Sequence, residues 1–398
     1  MSRVTTGLSE LRNHSTLGNQ WGRMGLLCNQ ASVDTDYAPA WKILQNKFGS
    51  RLTTLFGPQH GFEATVQDNM IETKHAKHGP SGLPVYSLYS ETRRPPEYML
   101  ENVDTLVIDL QVTGCRVYTF KWSVAECLRA CKEYGKKVVI LDRPNPVQGN
   151  VLEGRFLDQD MYSFVGQSPI PMRHGLTMGE FAAWANAEIG ANLEIVSLKG
   201  WDPAKDYRYT GLPWVITSPN LPNLDGVFTF PGTVMFEGTN ISEGRGTGLP
   251  FQFIGAPYIK DGNEVRDYLT SRWPEVCEGI VLRPCGFQPT SSKWAGESCG
   301  GIQIHVTEPE KMRSYGLSLA LLKTFIELSE GQFKWKAPGY EYNFEALPID
   351  LILGSKKAHE KIMASNFSPN DSFWYEGIDD YRKKVVPYLI YPRAMEIR

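Results

Sequence analysis

The chain has 398 residues and a formal net charge of −3, and charged residues make up 21% of it. This length exceeds what one hydrophobic core accommodates comfortably and predicts two domains. The nearly balanced charge excludes the concentrated basic surface of an electrostatic nucleic-acid binder, so we expect no nucleic-acid partner.

Apolar stretches are short throughout the chain. None approaches the roughly 18 apolar residues that a membrane span requires, and the N-terminus has no apolar signal region. Seven cysteines without framework spacing indicate free thiols in a reducing compartment. We therefore expect a cytoplasmic protein without membrane contact.

Four short apolar runs in the first half of the chain predict buried parallel strands. They cover residues 24–28, 52–56, 106–108 and 138–141. Segments of helix length separate them, and one carries apolar side chains at i, i+3, i+4 and i+7 from Val124 to Cys131. This alternation is typical of a right-handed βαβ sheet, so the predicted fold class is α/β with a Rossmann-like parallel sheet.

The chain changes character after about residue 200. A capping box at Thr177 and Glu180 predicts a helix over residues 178–189, and the apolar run at 193–198 predicts another strand. Residues 200–255 are instead rich in Gly and Pro and show little helical periodicity, which is typical of functional loops.

This change predicts the domain organisation. We expect residues 1–200 to form the Rossmann-like N-terminal domain and residues 201–398 to form a smaller α/β C-terminal domain. The second domain begins with the Gly/Pro-rich segment, which should line an active-site cleft between the two. Its further predicted elements are strands at 279–282 and 301–306 and a helix at 312–328.

Polar side chains follow each predicted strand of the first domain. Because the carboxyl ends of parallel strands meet at one edge of a sheet, we expect these side chains to share a crevice. They are Asn29, then Gln59 and His60, then Asp109, Gln111, Arg116 and Tyr118, and finally Asp142, Arg143 and Asn145. Structural ion pairing that fixes the loops stays open as an alternative for the two aspartates.

Further polar candidates follow along the chain. His174 precedes the capped helix, whose N-terminus favours an anionic group or a neutral imidazole. The Gly/Pro-rich segment adds Ser218, Asn220, Glu237, Asn240, Glu243 and Arg245. Its run at 244–248 lacks the Lys-Ser/Thr ending of a phosphate loop, so we expect no nucleotide or other cofactor. Lysines beside His75 and His78 disfavour a metal pair, and we expect no metal.

Several motifs occur in an order that is typical of one family. They are Leu55-Phe56-Gly57-Pro58 with His60-Gly61, Leu141-Asp142-Arg143-Pro144-Asn145-Pro146, Ser218-Pro219-Asn220, Glu237-Gly238-Thr239-Asn240 and Ser242-Glu243-Gly244-Arg245-Gly246-Thr247. Over nearly its whole length the chain resembles the NamZ-type exo-β-N-acetylmuramidases of bacterial peptidoglycan recycling. The resemblance implies a Rossmann-like domain, a smaller C-terminal domain and a cleft between them. It also implies release of terminal N-acetylmuramic acid from the non-reducing ends of saccharide or muropeptide fragments.

Gln59 departs from the family pattern, which usually places Glu after Gly-Pro as the leading acid/base candidate. An amide cannot exchange a proton at neutral pH, whereas glycoside hydrolysis normally needs a proton donor and an opposed nucleophile or base. We expect Glu72 to replace it, with Glu63 and Glu243 as alternatives and Tyr118 as a candidate nucleophile. The loop of Glu72 also carries Asp68 and Asn69, and the expected catalytic set is Glu72, His60, Gln59 and Tyr118.

Arginine suits bidentate recognition of the lactyl carboxylate of N-acetylmuramic acid, which predicts that Arg116, Arg143 or Arg245 holds it. The whole expected substrate-binding set is Asn29, Asp109, Gln111, Arg116, Asp142, Arg143, Asn145, His174, Ser218, Asn220, Glu237, Asn240, Glu243 and Arg245. Two other functions stay open. Gln59 favours a non-catalytic saccharide-binding or regulatory protein, and the absence of a glycine fingerprint disfavours an enzyme that uses nucleotide sugars.

Overall fold

The computed structural model describes residues 3–67 and 70–398. In that part of the chain the strands are β1 (Met24–Cys28), β2 (Leu52–Gly57), β3 (Ala76–Lys77), β4 (Pro84–Ser87), β5 (Thr105–Asp109), β6 (Lys137–Leu141), β7 (Val151–Leu152), β8 (Asn192–Val196), β9 (Phe253–Ala256), β10 (Ile280–Phe287), β11 (Cys299–Val306) and β12 (Glu396–Ile397). The α-helices are α1 (Gly7–Asn13), α2 (Ala40–Phe48), α3 (Glu97–Leu100), α4 (Phe120–Glu133), α5 (Met178–Ile189), α6 (Leu224–Thr233), α7 (Gly262–Arg272), α8 (Ser314–Glu327), α9 (Pro348–Leu353), α10 (Ala358–Met363) and α11 (Ile378–Lys384).

The main sheet has the strand order β3-β4-β2-β1-β5-β6-β8. Its neighbouring strands pair in parallel except β3 and β4, which pair antiparallel. The four predicted strands correspond to β1, β2, β5 and β6, and α5 begins with the predicted capping box. The predicted α/β class with a Rossmann-like parallel sheet is confirmed.

Helices cover both faces of this sheet. Val107 and Val139 share a buried cluster with side chains of α1 and α2. Ile108 and Ile140 share the other cluster with side chains of α4 and α5. Because both faces are buried, the central strands β1, β5 and β6 contain continuous apolar runs instead of an alternating pattern. The second cluster continues through Phe236 into the second half of the chain, so the two halves share one core.

The second half contains a smaller antiparallel sheet in the order β10-β11-β9, against which α7 packs, while α8 packs on α6 and α7. Near the end of the chain, β12 pairs in parallel with β7, which ties it back to the first half. Among the described residues, no helix has the length and apolar character needed to cross a membrane.

Helix α6 lies inside the segment whose sequence shows little helical periodicity. Its residues from Gly226 to Thr233 are all buried. A helix that is buried on every side needs no polar face, so it has no amphipathic pattern of period 3.6. For this reason the sequence did not indicate the helix.

Candidate active site

A narrow chamber lies at the carboxyl end of β2, where the sheet meets the second half of the chain. Its volume is about 40 Å³, which is room for about three water molecules. Its polar lining consists of Gln59, His60, Tyr118, Thr119, Ser218, Glu237, Arg245, Tyr340 and Glu341. The chamber therefore joins the carboxyl edge of the sheet to loops from the second half.

The Gln59 amide is held in one orientation. Its Oε1 accepts a hydrogen bond from the hydroxyl of Thr119, the N-cap residue of α4. Its Nε2 donates to Oε1 of Glu341 at 3.1 Å. Because a carboxyl oxygen accepts from an amide N–H, this network assigns the nitrogen to the side that faces Glu341.

The buried imidazole of His60 is neutral and has a partner on each nitrogen. Its Nδ1 donates to the carbonyl of Val66 at 2.6 Å, so Nε2 accepts from the hydroxyl of Ser218 at 3.2 Å. Burial lowers the pKa of His60 to about 4. His60 therefore positions Ser218 and carries no charge near neutral pH.

Glu341 lies in a tight turn in which Tyr340 and Asn343 exchange two backbone hydrogen bonds of 3.0 Å. Glu341 and Tyr342 both have a positive φ, 46° and 66°, a left-handed conformation that disfavours side chains other than Asn, Asp or Gly. The cation–π contact of Arg93 with the Tyr342 ring, 4.7 Å to the centroid, holds this turn against the first half.

The Glu341 carboxyl is buried between two donors. Besides the bond from Gln59, its Oε2 accepts from the hydroxyl of Tyr89 at 2.7 Å. Burial raises the pKa of Glu341, and the two hydrogen bonds oppose that shift only in part.

Glu237 is the second buried carboxyl of the chamber. Its Oε1 accepts from Nη2 of Arg245 at 2.5 Å, and its Oε2 accepts from the hydroxyl of Tyr340 at 2.7 Å. Burial alone would raise the pKa of Glu237, but the adjacent guanidinium outweighs it and holds the pKa below its ordinary value. The chamber thus holds one carboxyl with a raised pKa and one with a lowered pKa.

A buried ion network extends from Glu237. The Nε of Arg245 lies 3.2 Å from Oε1 of Glu243, and Nζ of Lys293 lies 2.6 Å from Oε2 of the same residue. Lys293 also donates to the carbonyls of Phe236 and Ile241. These side chains line a second, wider cavity of about 580 Å³.

The wider cavity adjoins the chamber, because Glu237 and Arg245 line both. Its remaining lining residues are Thr239, Asn240, Glu243, Ser292, Lys293, Trp294 and Lys336. Trp294 is half-buried and donates from Nε1 to the carbonyl of Asn240 at 2.6 Å. The wider cavity therefore has an aromatic ring and several cationic side chains close to the carboxyl groups of Glu237 and Glu243.

The structure brings together part of the predicted site. Residues at the chamber or the wider cavity are Gln59, His60, Tyr118, Ser218, Glu237, Asn240, Glu243 and Arg245. Asn220 lines a third cavity of about 610 Å³, which Gly246 also lines. Burial raises the pKa of Tyr118, which keeps its phenol protonated and disfavours a nucleophilic role.

The predicted aspartates lie outside these cavities, and their carboxylates are hydrogen-bonded within the fold. Asp109 accepts two hydrogen bonds from Arg143, at 2.5 and 2.7 Å, and neither side chain is accessible to solvent beyond a few percent. Asp142 accepts from the backbone of Arg143 and Gly179 and from the hydroxyls of Thr177 and Tyr391. These contacts favour the alternative of structural pairing, and a substrate-binding role for Asp109 and Asp142 stays a prediction.

Five further predicted residues also lie outside the three cavities. Each is buried and makes at least one side-chain hydrogen bond to a main-chain group, while Oε1 of Gln111, Nε of Arg116 and Nε2 of His174 have no hydrogen-bond partner among the described residues. They are Asn29, Gln111, Arg116, Asn145 and His174. Arg116, for example, donates to three main-chain carbonyls, which leaves its guanidinium inside the core.

Glu72 and Glu63 are exposed and do not line these cavities. Asp68 and Asn69, in the same loop, lie outside the described residues. The Glu72 role therefore stays a prediction without support from its position. Among the described residues, no group of three or more His, Cys, Asp and Glu side chains is arranged to hold a metal ion.

Sequence reasoning missed Glu341, Tyr340, Thr119, Trp294 and Lys336. Glu341 and Tyr342 lack the Asn-Gly or Asp-Gly signature of a two-residue turn, so the turn signals beside them, Pro338-Gly339 and Asn343, did not show where the chain reverses.

Comparisons with known proteins agree with this architecture. The family model described as exo-beta-N-acetylmuramidase NamZ, N-terminal, matches residues 24–225, and its C-terminal counterpart matches residues 228–391. The chain is 37% identical over 397 residues to the peptidoglycan beta-N-acetylmuramidase NamZ of Bacillus subtilis strain 168, covering 98% of this chain and 92% of that protein.

Two crystal structures of DUF1343 family proteins from Bacteroides fragilis NCTC 9343 share the fold. One has a TM-score of 0.87 at 30% identity, covering 98% of this chain and 99% of the other. The second has a TM-score of 0.75 at 26% identity, covering 99% and 100%. The chain belongs to the exo-β-N-acetylmuramidase NamZ family, so the resemblance seen in its motifs is confirmed.

The Asp109–Arg143 pair gives a test of the structural assignment. Replacing Asp109 with Asn leaves a buried guanidinium without its counter-charge, which should lower the free energy of unfolding by about 3 to 5 kcal/mol. The matched control is Asp104→Asn, which breaks an exposed pair with Arg23 and should cost about 1 kcal/mol or less. Urea denaturation measures both, and equal losses would contradict the assignment.

His60 should make stability depend on pH. Its folded pKa of about 4 lies below the ordinary value of 6.5, so on acidification the unfolded chain binds a proton before the folded one does. This contribution is complete above pH 6.5 and is lost as pH falls toward 4. Between pH 7 and pH 5 the wild type should lose about 2 kcal/mol more than His60→Gln in urea denaturation. Parallel losses would contradict a neutral, buried imidazole.

Proposed function

We propose that this protein is a glycoside hydrolase that releases terminal N-acetylmuramic acid from the non-reducing end of peptidoglycan fragments. The observation that carries the proposal is the match of both halves of the chain to one family of exo-β-N-acetylmuramidases. The Bacillus subtilis relative, which matches 98% of the chain, is a peptidoglycan β-N-acetylmuramidase. Glycoside hydrolysis normally uses two carboxyl groups. Glu237 and Glu341 line the chamber that adjoins the wider cavity.

The wider cavity has suitable chemistry for a muramic acid ring. The half-buried ring of Trp294 offers an apolar face for a sugar. Lys336 is exposed, and among the described residues no carboxylate pairs with it, whereas Arg245 and Lys293 already pair with glutamates. We assign Lys336, rather than Arg116 or Arg143, to the lactyl carboxylate.

Substrate turnover is the direct test. Purified protein should release free N-acetylmuramic acid from the disaccharide of N-acetylmuramic acid linked to N-acetylglucosamine, as chromatography would detect. Gln59 favours one rival function, a saccharide-binding protein that does not cleave. Calorimetric binding of the disaccharide without sugar release over hours would establish that rival and reject the hydrolase.

Replacing Lys336 with Gln should raise KM for a 4-nitrophenyl muramide about 10- to 100-fold, because one charge-assisted contact to the lactyl carboxylate is lost. A 4-nitrophenyl N-acetylglucosaminide lacks that carboxylate, so any residual hydrolysis of it should not change. Lys334→Gln removes the same charge from an exposed lysine that does not line the cavity, and it serves as the control. Equal KM values for all three proteins would reject the assignment.

A further inference from the structure

Cleavage of a glycosidic bond needs a proton donor beside the leaving oxygen and a negative group beside the sugar carbon C1. At the carboxyl end of β2 the chain presents Gln59, whose amide cannot donate a proton in this way. We expect the acid to be a carboxyl that lines the chamber with Gln59, because this chamber adjoins the wider cavity at Glu237 and Arg245. Two carboxyls do so, Glu237 and Glu341.

Glu341 has the position of a proton donor. It is 3% exposed, and each of its oxygens accepts one hydrogen bond, from Gln59 or from Tyr89. An oxygen that accepts one bond can still carry a proton, so these contacts orient the carboxyl without consuming its acidic site. Burial raises the pKa of Glu341 and favours the protonated form, and the negative charge of Glu237 acts in the same direction, whereas the Arg93 guanidinium opposes it.

The backbone around Glu341 supports a functional reason for its placement. Two consecutive side-chain-bearing residues, Glu341 and Tyr342, have a positive φ, which glycine or asparagine would adopt at lower cost. Such conformations persist where the surrounding structure enforces them, and they cluster at active sites. Here the enforced turn carries the Glu341 side chain to Gln59 and Tyr89 of the first half.

Glu237 has the opposite surroundings. A guanidinium and a phenol donate to its two oxygens, and the guanidinium of Arg245 keeps it ionised. One turn therefore connects the two carboxyls. Its residue Tyr340 donates a hydrogen bond to Glu237, and its next residue, Glu341, accepts one from Gln59. Two carboxyls whose environments separate their proton affinities are the usual basis for dividing acid and charge-stabilising roles.

We propose that Glu341 is the general acid of this enzyme, oriented by Gln59 and Tyr89, and that the ionised Glu237 stabilises positive charge at C1. The assignment rests on the proposed glycosidase function. As the bond between C1 and the bridging oxygen breaks, its electron pair stays on the oxygen, which takes the proton of Glu341 and leaves as an alcohol. A water molecule from the chamber then adds to C1 and returns a proton to Glu341.

The test compares two substrates with Glu341→Gln. For the natural disaccharide, whose leaving sugar needs a proton, kcat/KM should fall at least 100-fold. For a 4-nitrophenyl muramide, which releases a stable anion without protonation, kcat/KM should fall less than tenfold. The variant should also lose the alkaline limb of the pH profile for the nitrophenyl substrate, since no acid remains to ionise. Equal losses on both substrates, or a retained alkaline limb, would overturn the proposal.

Glu345→Gln is the matched control, because Glu345 is an exposed glutamate four residues later that does not line the chamber. It should keep the kinetics of the wild type on both substrates. Loss of disaccharide hydrolysis in Glu72→Gln together with its retention in Glu341→Gln would overturn the assignment. Thermal melting of each variant establishes that it is folded.

Two kinds of failure can be told apart. A wild type that hydrolyses neither substrate rejects the proposed function, whereas an active wild type with an equally active Glu341→Gln rejects only the acid. If Glu341→Gln does not fold, Glu341→Asp retains the acid but withdraws it from the substrate. Its disaccharide kcat/KM should then fall at least tenfold more than its nitrophenyl kcat/KM, and equal values would overturn the proposal.

Discussion

A buried chain of alternating charges runs from Lys293 through Glu243 and Arg245 to Glu237. The electrostatics of the two adjoining cavities depend on these ion pairs. Each carboxylate in this chain of charges has a cation within 2.6 Å, which compensates for the hydration lost on burial. Glu341 is close to the same region but has only neutral donors as hydrogen-bond partners. The pKa values of Glu237 and Glu341 therefore shift in opposite directions because, of the two, only Glu237 makes a direct ion pair with Arg245.

The residues that follow different strands have different roles at the carboxyl edge of the parallel sheet. After β2 it presents Gln59 and His60 to the chamber. After β5 and β6 it buries Asp109, Arg143 and Asp142 in mutual and main-chain contacts. A carboxylate at a buried strand end must find a partner whether or not a ligand is present. These contacts give the chamber residues a rigid base.

Much of the fold could be predicted, because burial on both faces gives β1, β5 and β6 continuous apolar sequences and a capping box marks the start of α5. The site could be predicted only in part. Glu237 and Arg245 lie in motifs that are typical of the family. Glu341 lies in a turn whose two central residues, Glu341 and Tyr342, seldom adopt its left-handed conformation. The division between structural Asp109 and chamber-lining Glu237 depends on spatial partners, which a linear pattern does not specify.

The hydrogen bond between Gln59 and Glu341 joins positions 282 residues apart in the chain. A ribosome must therefore complete most of the polypeptide before the two side chains can meet. A chain truncated before residue 341 would lack the partner that orients the Gln59 amide, and because both halves contribute to one buried core it would also leave part of that core uncovered. The proposed acid and its orienting amide therefore come together only after both halves of the chain have been synthesised and have packed against each other.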